Sequence, residues 1–365
     1  MQELELPAGP SAERRRARAK TLLFVAGPGR SGTSLMSGIL QRLGFVVPQP
    51  EVPSDESNPR GFAESQWVVD FHTRLLRDAG VQTADARPAA WVETARVALE
   101  ASVQRELRWW LKRELKSADD VLIKDPRLSW FLPLWRQCAD EVGAAPRFIT
   151  VLRHPGAVVN SKQRYYGMSQ SEAARTAGWL QQCLFTERGT RESPRIFVLY
   201  DELLDDWTRA VTRIGDALDL EPVKDAPAKS MRSVHEFVDQ SLRRSRADWG
   251  DAAIPEQLRT HADELWELLT RLAVAGPFEQ NEITARLDEL REGYIRLYAE
   301  AEAIAHSSIV AARRGAAPAK RSVPFALRLA RRLPRGVRHI VPLKWRIRIA
   351  RALLPRGRVA GSRAA

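Results

Sequence analysis

A short apolar run that opens through a glycine-rich turn into a helix is the feature that most limits how this chain can fold. Residues 21–26 read TLLFVA, residues 27–34 read GPGRSGTS, and Leu35, Ile39 and Leu43 follow at helical spacing. A strand, loop and helix of this kind point several backbone N–H groups and the positive end of the helix dipole at one place, which attracts phosphate or sulfate. The sequence therefore predicts an anion-binding βα unit.

The loop itself suits the close approach of an anion, because its glycines permit a tight backbone and its hydroxyls can donate hydrogen bonds. The glycines are Gly27, Gly29 and Gly32, and the hydroxyls belong to Ser31, Thr33 and Ser34. The spacing obeys the G-x-x-x-x-G-K-[ST] pattern of nucleotide-hydrolysing loops, but Thr33 stands where the lysine belongs. That lysine neutralises β- and γ-phosphates, so the pattern favours a ligand without a γ-phosphate, with Arg30 as the available cation. A turn that only closes a packed βα unit is the alternative.

Further apolar runs alternate with amphipathic segments along the chain. We expect strands at 121–123, 147–152 and 195–200, and a helix at 101–116. This alternation predicts an α/β fold with a P-loop-type, mainly parallel sheet flanked by helices. Beyond Leu204 the spacing is helical, which predicts a helical C-terminal part before a basic tail.

Changes of composition divide the chain into four segments. We expect a basic N-terminal extension over 1–20, one large domain over 21–275, a long exposed helix over 276–310 and a basic, proline-interrupted tail over 311–365. Residues 306–365 hold 16 Lys and Arg and no Asp or Glu, so the formal charge of +12 becomes −4 for the rest. The excess positive charge therefore belongs to the tail.

A second candidate anion site follows the run at 147–152. Arg153 comes at the end of the run, Ser161 lies eight residues further on, and Pro155 suits the first turn of a helix. On such a helix the guanidinium and the hydroxyl can face one ligand, and this pair suits a terminal phosphate. An arginine paired with a carboxylate and a solvated helix serine would explain either residue taken alone.

These motifs resemble those of the sulfotransferases that use 3′-phosphoadenosine-5′-phosphosulfate (PAPS). Residues 30–34, RSGTS, resemble the loop that binds the 5′-phosphosulfate, and Arg153 with Ser161 resembles the 3′-phosphate motif. Three more segments are similar to bacterial members: NPRGFAE at 58–64, IKDPRL at 123–128 and LYDELL at 199–204. The resemblance covers about residues 21–250 and makes 21–275 a sulfotransferase domain.

The resemblance implies PAPS as co-substrate, no metal, and transfer of a sulfuryl group to a hydroxyl or amine of an acceptor. We expect this acceptor to be a small molecule, a glycan or a glycolipid. It also implies a set of donor-binding residues that includes a late basic cluster. The set is Gly29, Arg30, Ser31, Gly32, Thr33, Ser34, Arg153, Ser161, Arg243 and Arg244.

The resemblance points to Arg30 and Lys124 as the groups that stabilise charge during transfer. Many members carry a lysine two positions before a catalytic histidine, but here that later position is Pro126, which cannot act as a base. A different residue must therefore accept the proton of the acceptor.

Two carboxylates are candidates for this base. Glu64 is the first, since it resembles the glutamate that some bacterial and glycan sulfotransferases use, although it could instead cap a helix that begins near Ser65. Asp125 is the second, and a salt bridge to Arg127 or Arg153 would explain it as well.

Two alternatives to this function stay open. The loop spacing also fits a P-loop small-molecule kinase, and the missing histidine fits a catalytically degenerate nucleotide-binding or membrane-adaptor protein. Only two cysteines occur, without metal-ligand spacing, and no apolar run is long enough for export or for a membrane span, so we expect a cytoplasmic protein. Arginines and apolar residues mix over 313–358, which favours peripheral contact with the inner face of a membrane. A disordered solubilising tail, RNA binding and an oligomer contact are the alternatives.

Overall fold

Four parallel strands form one sheet in the part of the chain that the computed structural model describes, which is residues 19–166, 170–239 and 248–316. The strands are β1 Lys20–Ala26, β2 Asp120–Lys124, β3 Ala144–Leu152 and β4 Arg195–Leu199. They lie in the order β2-β1-β3-β4, and each neighbouring pair is parallel. The prediction of an α/β fold with a mainly parallel sheet flanked by helices is confirmed.

Helices connect the strands and continue beyond the last one. Those before β4 are α1 Thr33–Arg42, α2 Gln66–Ala79, α3 Ala90–Ala98, α4 Ala101–Ser117, α5 Leu132–Glu141, α6 Pro155–Tyr166 and α7 Glu172–Thr190. Those after β4 are α8 Tyr200–Asp205, α9 Trp207–Leu218, α10 Glu221–Lys224, α11 Ala228–Phe237, α12 Glu256–Leu272 and α13 Pro277–Ala316.

Both faces of the sheet are buried, which is why its strands read as continuous apolar runs. Successive side chains of a strand point to opposite faces. Phe24 accordingly packs into one core cluster with residues of α2 to α5, and Leu23 packs into another with residues of α1 and of α8 to α11. The two clusters hold the carboxyl ends of the strands in place.

These carboxyl ends share one edge of the sheet. Val25 pairs with Lys124, Ala26 pairs with Thr150, and Leu152 pairs with Leu199. The residues that follow each strand therefore lie side by side, although they are far apart in sequence. In open parallel sheets, this edge is the usual place for ligands.

The last helix, α13, differs from the exposed helix that the sequence led us to expect. Ile283, Leu287, Leu290 and Tyr294 form a buried stripe along its first half and pack into a cluster with α12. Residues 299–308 of the helix are exposed. The expectation is therefore wrong for the first half, because its apolar residues recur at helical spacing and are covered by α12.

The chain separates into two compact units, residues 1–301 and residues 302–365. The sheet belongs to the first unit. Of the second, the structure describes only residues 302–316, which are the end of α13. Most of the predicted basic tail lies outside the described residues. No helix among the described residues combines the length and the apolar character needed to cross a bilayer.

Candidate active site

The glycine-rich loop between β1 and α1 has a backbone that side chains would disturb. Gly27 has a φ of 138° and Gly32 a φ of 101°, both in the region that favours glycine. A Cβ on Gly27 would lie 2.7 Å from the carbonyl oxygen of Val151, and one on Gly32 would lie 2.2 Å from the ring of Tyr200. The loop is therefore pressed between the end of β3 and the start of α8.

A buried hydroxyl at the N-terminus of α1 marks where an anion can be held. The side chain of Ser31 is wholly buried, and its Oγ has no hydrogen-bond partner within the described part of the chain. Buried polar atoms are normally paired, so this hydroxyl is suited to donate to a ligand. It lies beside Thr33, where the helix begins and its positive dipole end points outward.

The two anion motifs found in the sequence lie in contact. The Nε of Arg30 donates to the Oγ of Ser161 at 3.2 Å, and the Nη1 of Arg153 donates to the carbonyl oxygen of Arg30 at 3.0 Å. The Arg153 guanidinium also lies 4.4 Å from the centre of the Tyr200 ring. Helix α6 begins at Pro155, as expected, and so places Ser161 toward the loop.

Arg153 is desolvated in this position. Burial lowers the pKa of its guanidinium below the ordinary value, although Tyr200 and Asp201 act in the opposite direction. Its Nε is buried without a hydrogen-bond partner in the described ranges. Like the hydroxyl of Ser31, this N–H is available to an anionic ligand.

A lysine and a glutamate meet beside the loop. The Nζ of Lys124, at the end of β2, donates to the Oγ of Ser34 at 3.0 Å and forms a buried ion pair with the Oε1 of Glu64. Burial raises the pKa of Glu64 above its usual value, and the charge of Lys124 only partly offsets this effect. Helix α2 begins at Gln66 without a side-chain cap, so the Glu64 carboxylate faces the site and does not cap the helix.

Asp125 follows Lys124 but has a different environment. Its side chain is wholly buried, and its two oxygens lie 3.0 and 3.1 Å from the Nη1 of Arg127. The Nδ1 of His72 lies 3.3 Å from Oδ2. Burial acts to raise the pKa of Asp125, but His72 and Arg127 outweigh it and lower the pKa below its ordinary value. Of the two salt-bridge partners that the sequence left open, the structure shows Arg127.

The structure does not describe two residues of the predicted donor set. Arg243 and Arg244 fall in 240–247, outside the described residues. The structure brings the other predicted residues together at one edge of the sheet. Sequence reasoning did not connect His72 to Asp125, because they lie on different elements and the contact exists only after folding.

A known protein family matches the part of the chain that holds this site. The family described as the sulfotransferase family matches residues 23–225, more than half of the chain. The chain belongs to the sulfotransferase family. The matched range includes the loop, Glu64, Lys124, Arg153 and Ser161 of this sulfotransferase. Membership of this family decides against the small-molecule kinase that the loop spacing had left open.

Solved structures similar to this sulfotransferase include other sulfotransferases. The sulfotransferase domain of the olefin synthase of Synechococcus PCC 7002 is 18% identical, with 70% of this chain and 96% of that chain covered and a TM-score of 0.41. A sulfotransferase from Mycobacterium tuberculosis H37Rv is 15% identical, with 70% and 78% covered and a TM-score of 0.38. The comparison with curated proteins found no match.

Proposed function

We propose that this sulfotransferase moves a sulfuryl group from PAPS to a hydroxyl or amine of an acceptor, and that the acceptor is a glycan or a glycolipid. The observation that carries the proposal is the contact between the two anion motifs, where the Arg30 side chain bonds Ser161 and the Arg30 carbonyl oxygen accepts from Arg153. Two anion positions joined through one arginine match a nucleotide that carries a phosphosulfate at one end and a 3′-phosphate at the other.

The residues present suit such a donor. The loop N–H groups and the unpartnered Ser31 hydroxyl would hold the 5′-phosphosulfate, and Arg153 with Ser161 would hold the 3′-phosphate. Each would satisfy a polar group that is buried without a partner in the described ranges. When bound, PAPS supplies a sulfuryl group attached to a phosphate that can leave.

We assign the general base to Glu64 and charge stabilisation to Lys124. A base with a raised pKa is well matched to taking a proton near neutral pH. Lys124 contacts both Glu64 and Ser34, so its ammonium lies between the base and the loop, where negative charge develops on the bridging oxygen. Asp125 accepts a hydrogen bond from Arg127 and lies beside His72, so we assign it a positioning role and not that of a base.

The test is a sulfuryl-transfer assay with radiolabelled PAPS on extracts of lipids, glycans and phenols, using the wild type and Glu64→Ala. Transfer by the wild type that falls by about 10²- to 10⁴-fold in the variant supports both the activity and the base. Binding of 3′-phosphoadenosine-5′-phosphate (PAP) is measured in parallel by calorimetry. If the wild type binds no PAP, the proposed function is wrong, whereas full activity of Glu64→Ala removes only the assignment of the base.

A further inference from the structure

Arg127 is the exposed end of a buried series of polar contacts that the proposed donor site does not use. The Nε1 of Trp135 donates to the Nε2 of His72 at 2.7 Å, which leaves the ring proton of a neutral His72 on Nδ1. That Nδ1 lies 3.3 Å from Asp125, and Asp125 accepts from Arg127 through both of its oxygens. Trp135 thus orients the His72 ring, His72 lies beside Asp125, and Asp125 orients Arg127.

Arg127 is the one member of this series that is not buried. Trp135, His72 and Asp125 are buried, whereas the Arg127 side chain is 24% exposed. Burying a carboxylate costs stability unless it is well paired. A buried aspartate and histidine that hold one accessible arginine indicate that the position of this arginine matters.

One edge of the Arg127 guanidinium is available to bind a ligand through two N–H groups. Of the donors of Arg127, the backbone N–H and the Nη1 are the ones that bond Asp125. The Nε and Nη2 atoms make no hydrogen bond within the described parts of the chain. These two N–H groups point in parallel and form the fork that binds a carboxylate, sulfate or phosphate.

Arg127 lies on the side of the proposed base and not beside the 3′-phosphate residues. Its positive charge acts on Glu64 and lowers the pKa of that carboxyl against the effect of burial. The charges that act on Arg153 are those of Tyr200, Asp201 and Arg30. Arg127 also follows the end of β2 by three residues, and the last residue of β2, Lys124, pairs with Glu64. An anion on the Arg127 fork would on this geometry belong to the molecule that gives its proton to Glu64.

We infer that Arg127 binds an oxyanion group of the acceptor, a carboxylate or a sulfate or phosphate ester, close to the hydroxyl that receives the sulfuryl group. This inference rests on the proposed function and narrows the acceptor to an acid-bearing class, such as an acidic saccharide. Trp135, His72 and Asp125 are positioning residues for this contact.

The experiment compares acceptors that differ only in an acidic group, with radiolabelled PAPS as donor. Suitable pairs are galacturonate with galactose, N-acetylglucosamine 6-sulfate with N-acetylglucosamine, and 4-hydroxybenzoate with 4-hydroxybenzamide. For the wild type we expect kcat/KM to favour the acidic member of at least one pair. Arg127→Gln should lower this acid-to-neutral ratio by about 10- to 100-fold, mainly through KM, because a charged hydrogen-bonded pair is lost. Arg127→Lys should retain part of it.

Arg108→Gln is the matched control. Arg108 is 27% exposed and pairs with Glu141 between α4 and α5, so it has similar exposure and a carboxylate partner but belongs to no part of the proposed site. Its removal should leave the ratio unchanged. Asp125→Asn keeps Arg127 and weakens its anchor, so a smaller fall of the same ratio is expected. The unfolding temperature of each variant separates these effects from misfolding.

The inference is overturned if Arg127→Gln leaves the ratio as it is in the wild type, or if no acidic compound is preferred or labelled by a wild type that binds PAP. In these cases the proposed donor stands because PAP binds, and the proposed reaction stands wherever a neutral acceptor is labelled. Failure of the wild type to bind PAP would instead reject the proposed function itself, and the two failures are thereby distinguished.

Discussion

Two carboxylates at the site have pKa values that move in opposite directions, and their contacts explain why. Burial dominates at Glu64 and raises its pKa, whereas His72 and Arg127 outweigh burial at Asp125 and lower its pKa. Groups whose environments separate their pKa values in this way usually have different roles in a reaction. Neighbouring charges, and not residue type, therefore distinguish the candidate base from the residue that positions Arg127.

The pH dependence of transfer tests this distinction. Because burial raises the pKa of Glu64 and a base must be ionised, kcat/KM of the wild type should fall on acidification at a pH above the ordinary range of glutamate. Glu64→Gln should lose this acid limb together with most of the activity. A pH profile that is identical in shape for the two proteins would rule Glu64 out as the base.

Lys162 offers a second test at the scale of a single residue, this time of stability. It is buried in α6, and burial lowers its pKa from 10.5 to about 8; Cys183 opposes the change and Arg175 adds to it. A lowered folded-state pKa means that the unfolded chain binds the proton more readily. The loss of folding stability caused by the buried charge of Lys162 is therefore complete below pH 8 and disappears as the pH rises toward 10.5.

Lys162→Met should accordingly raise the free energy of unfolding at neutral pH, by an amount on the order of 3 kcal/mol if the shift is converted directly. Denaturant titrations without PAP at increasing pH should show this gain shrinking between pH 8 and 10.5. A gain that does not depend on pH would show that packing, and not the buried charge, is responsible.

At the scale of elements, the phosphate loop depends on helix α8 as much as on its own sequence. The start of α8 places the Tyr200 ring against Gly32 and beneath the Arg153 guanidinium. One aromatic ring thus contacts a residue of each of the two proposed phosphate sites. The glycine at 32 is needed for its φ and also for the space that this ring occupies.

Gly32→Ala should therefore reduce PAP affinity strongly, by about 100-fold or more, since the new Cβ would displace the loop or the ring. Gly80→Ala is the control, because Gly80 also has a positive φ, 66°, but has no atom within 4 Å of an added Cβ. Gly80→Ala should cost about 1 kcal/mol of stability and leave PAP affinity intact. Calorimetric titration with PAP, beside thermal unfolding, compares the two. Equal losses of affinity would contradict the proposed steric cause.

The extents of several elements were predictable because they depend on local spacing. The strand expected at 147–152 extends over Ala144–Leu152, and the helix expected at 101–116 is Ala101–Ser117. The first half of α13 was predicted less well. Its apolar stripe was visible in the sequence, but the covering by α12 depends on where the chain turns back, which no local pattern specifies.

At the scale of the whole molecule, the uneven distribution of charge leads to a prediction about membranes. The basic tail at 311–365, most of which lies outside the described residues, holds the positive excess, and the rest of the chain is mildly acidic. We propose that the tail contacts an anionic bilayer, which would bring the enzyme to a glycolipid acceptor. Such attraction is electrostatic and weakens with salt.

The full chain should cosediment with vesicles that contain phosphatidylserine, should not do so with vesicles of phosphatidylcholine alone, and should be released by high salt. Deleting residues 311–365 should abolish cosedimentation and leave PAP affinity unchanged. Retained vesicle binding after the deletion would place the membrane contact elsewhere in the chain.

The sequence by itself determined the strand, the glycine-rich loop and the helix of the first anion motif, as well as the spacing of Arg153 and Ser161, because both are fixed by residues close together in the chain. Tertiary structure decided that Arg30 contacts Ser161, that Glu64 pairs with Lys124, and that His72 lies beside Asp125. These contacts depend on the parallel order of the strands, which brings distant segments to one edge of the sheet.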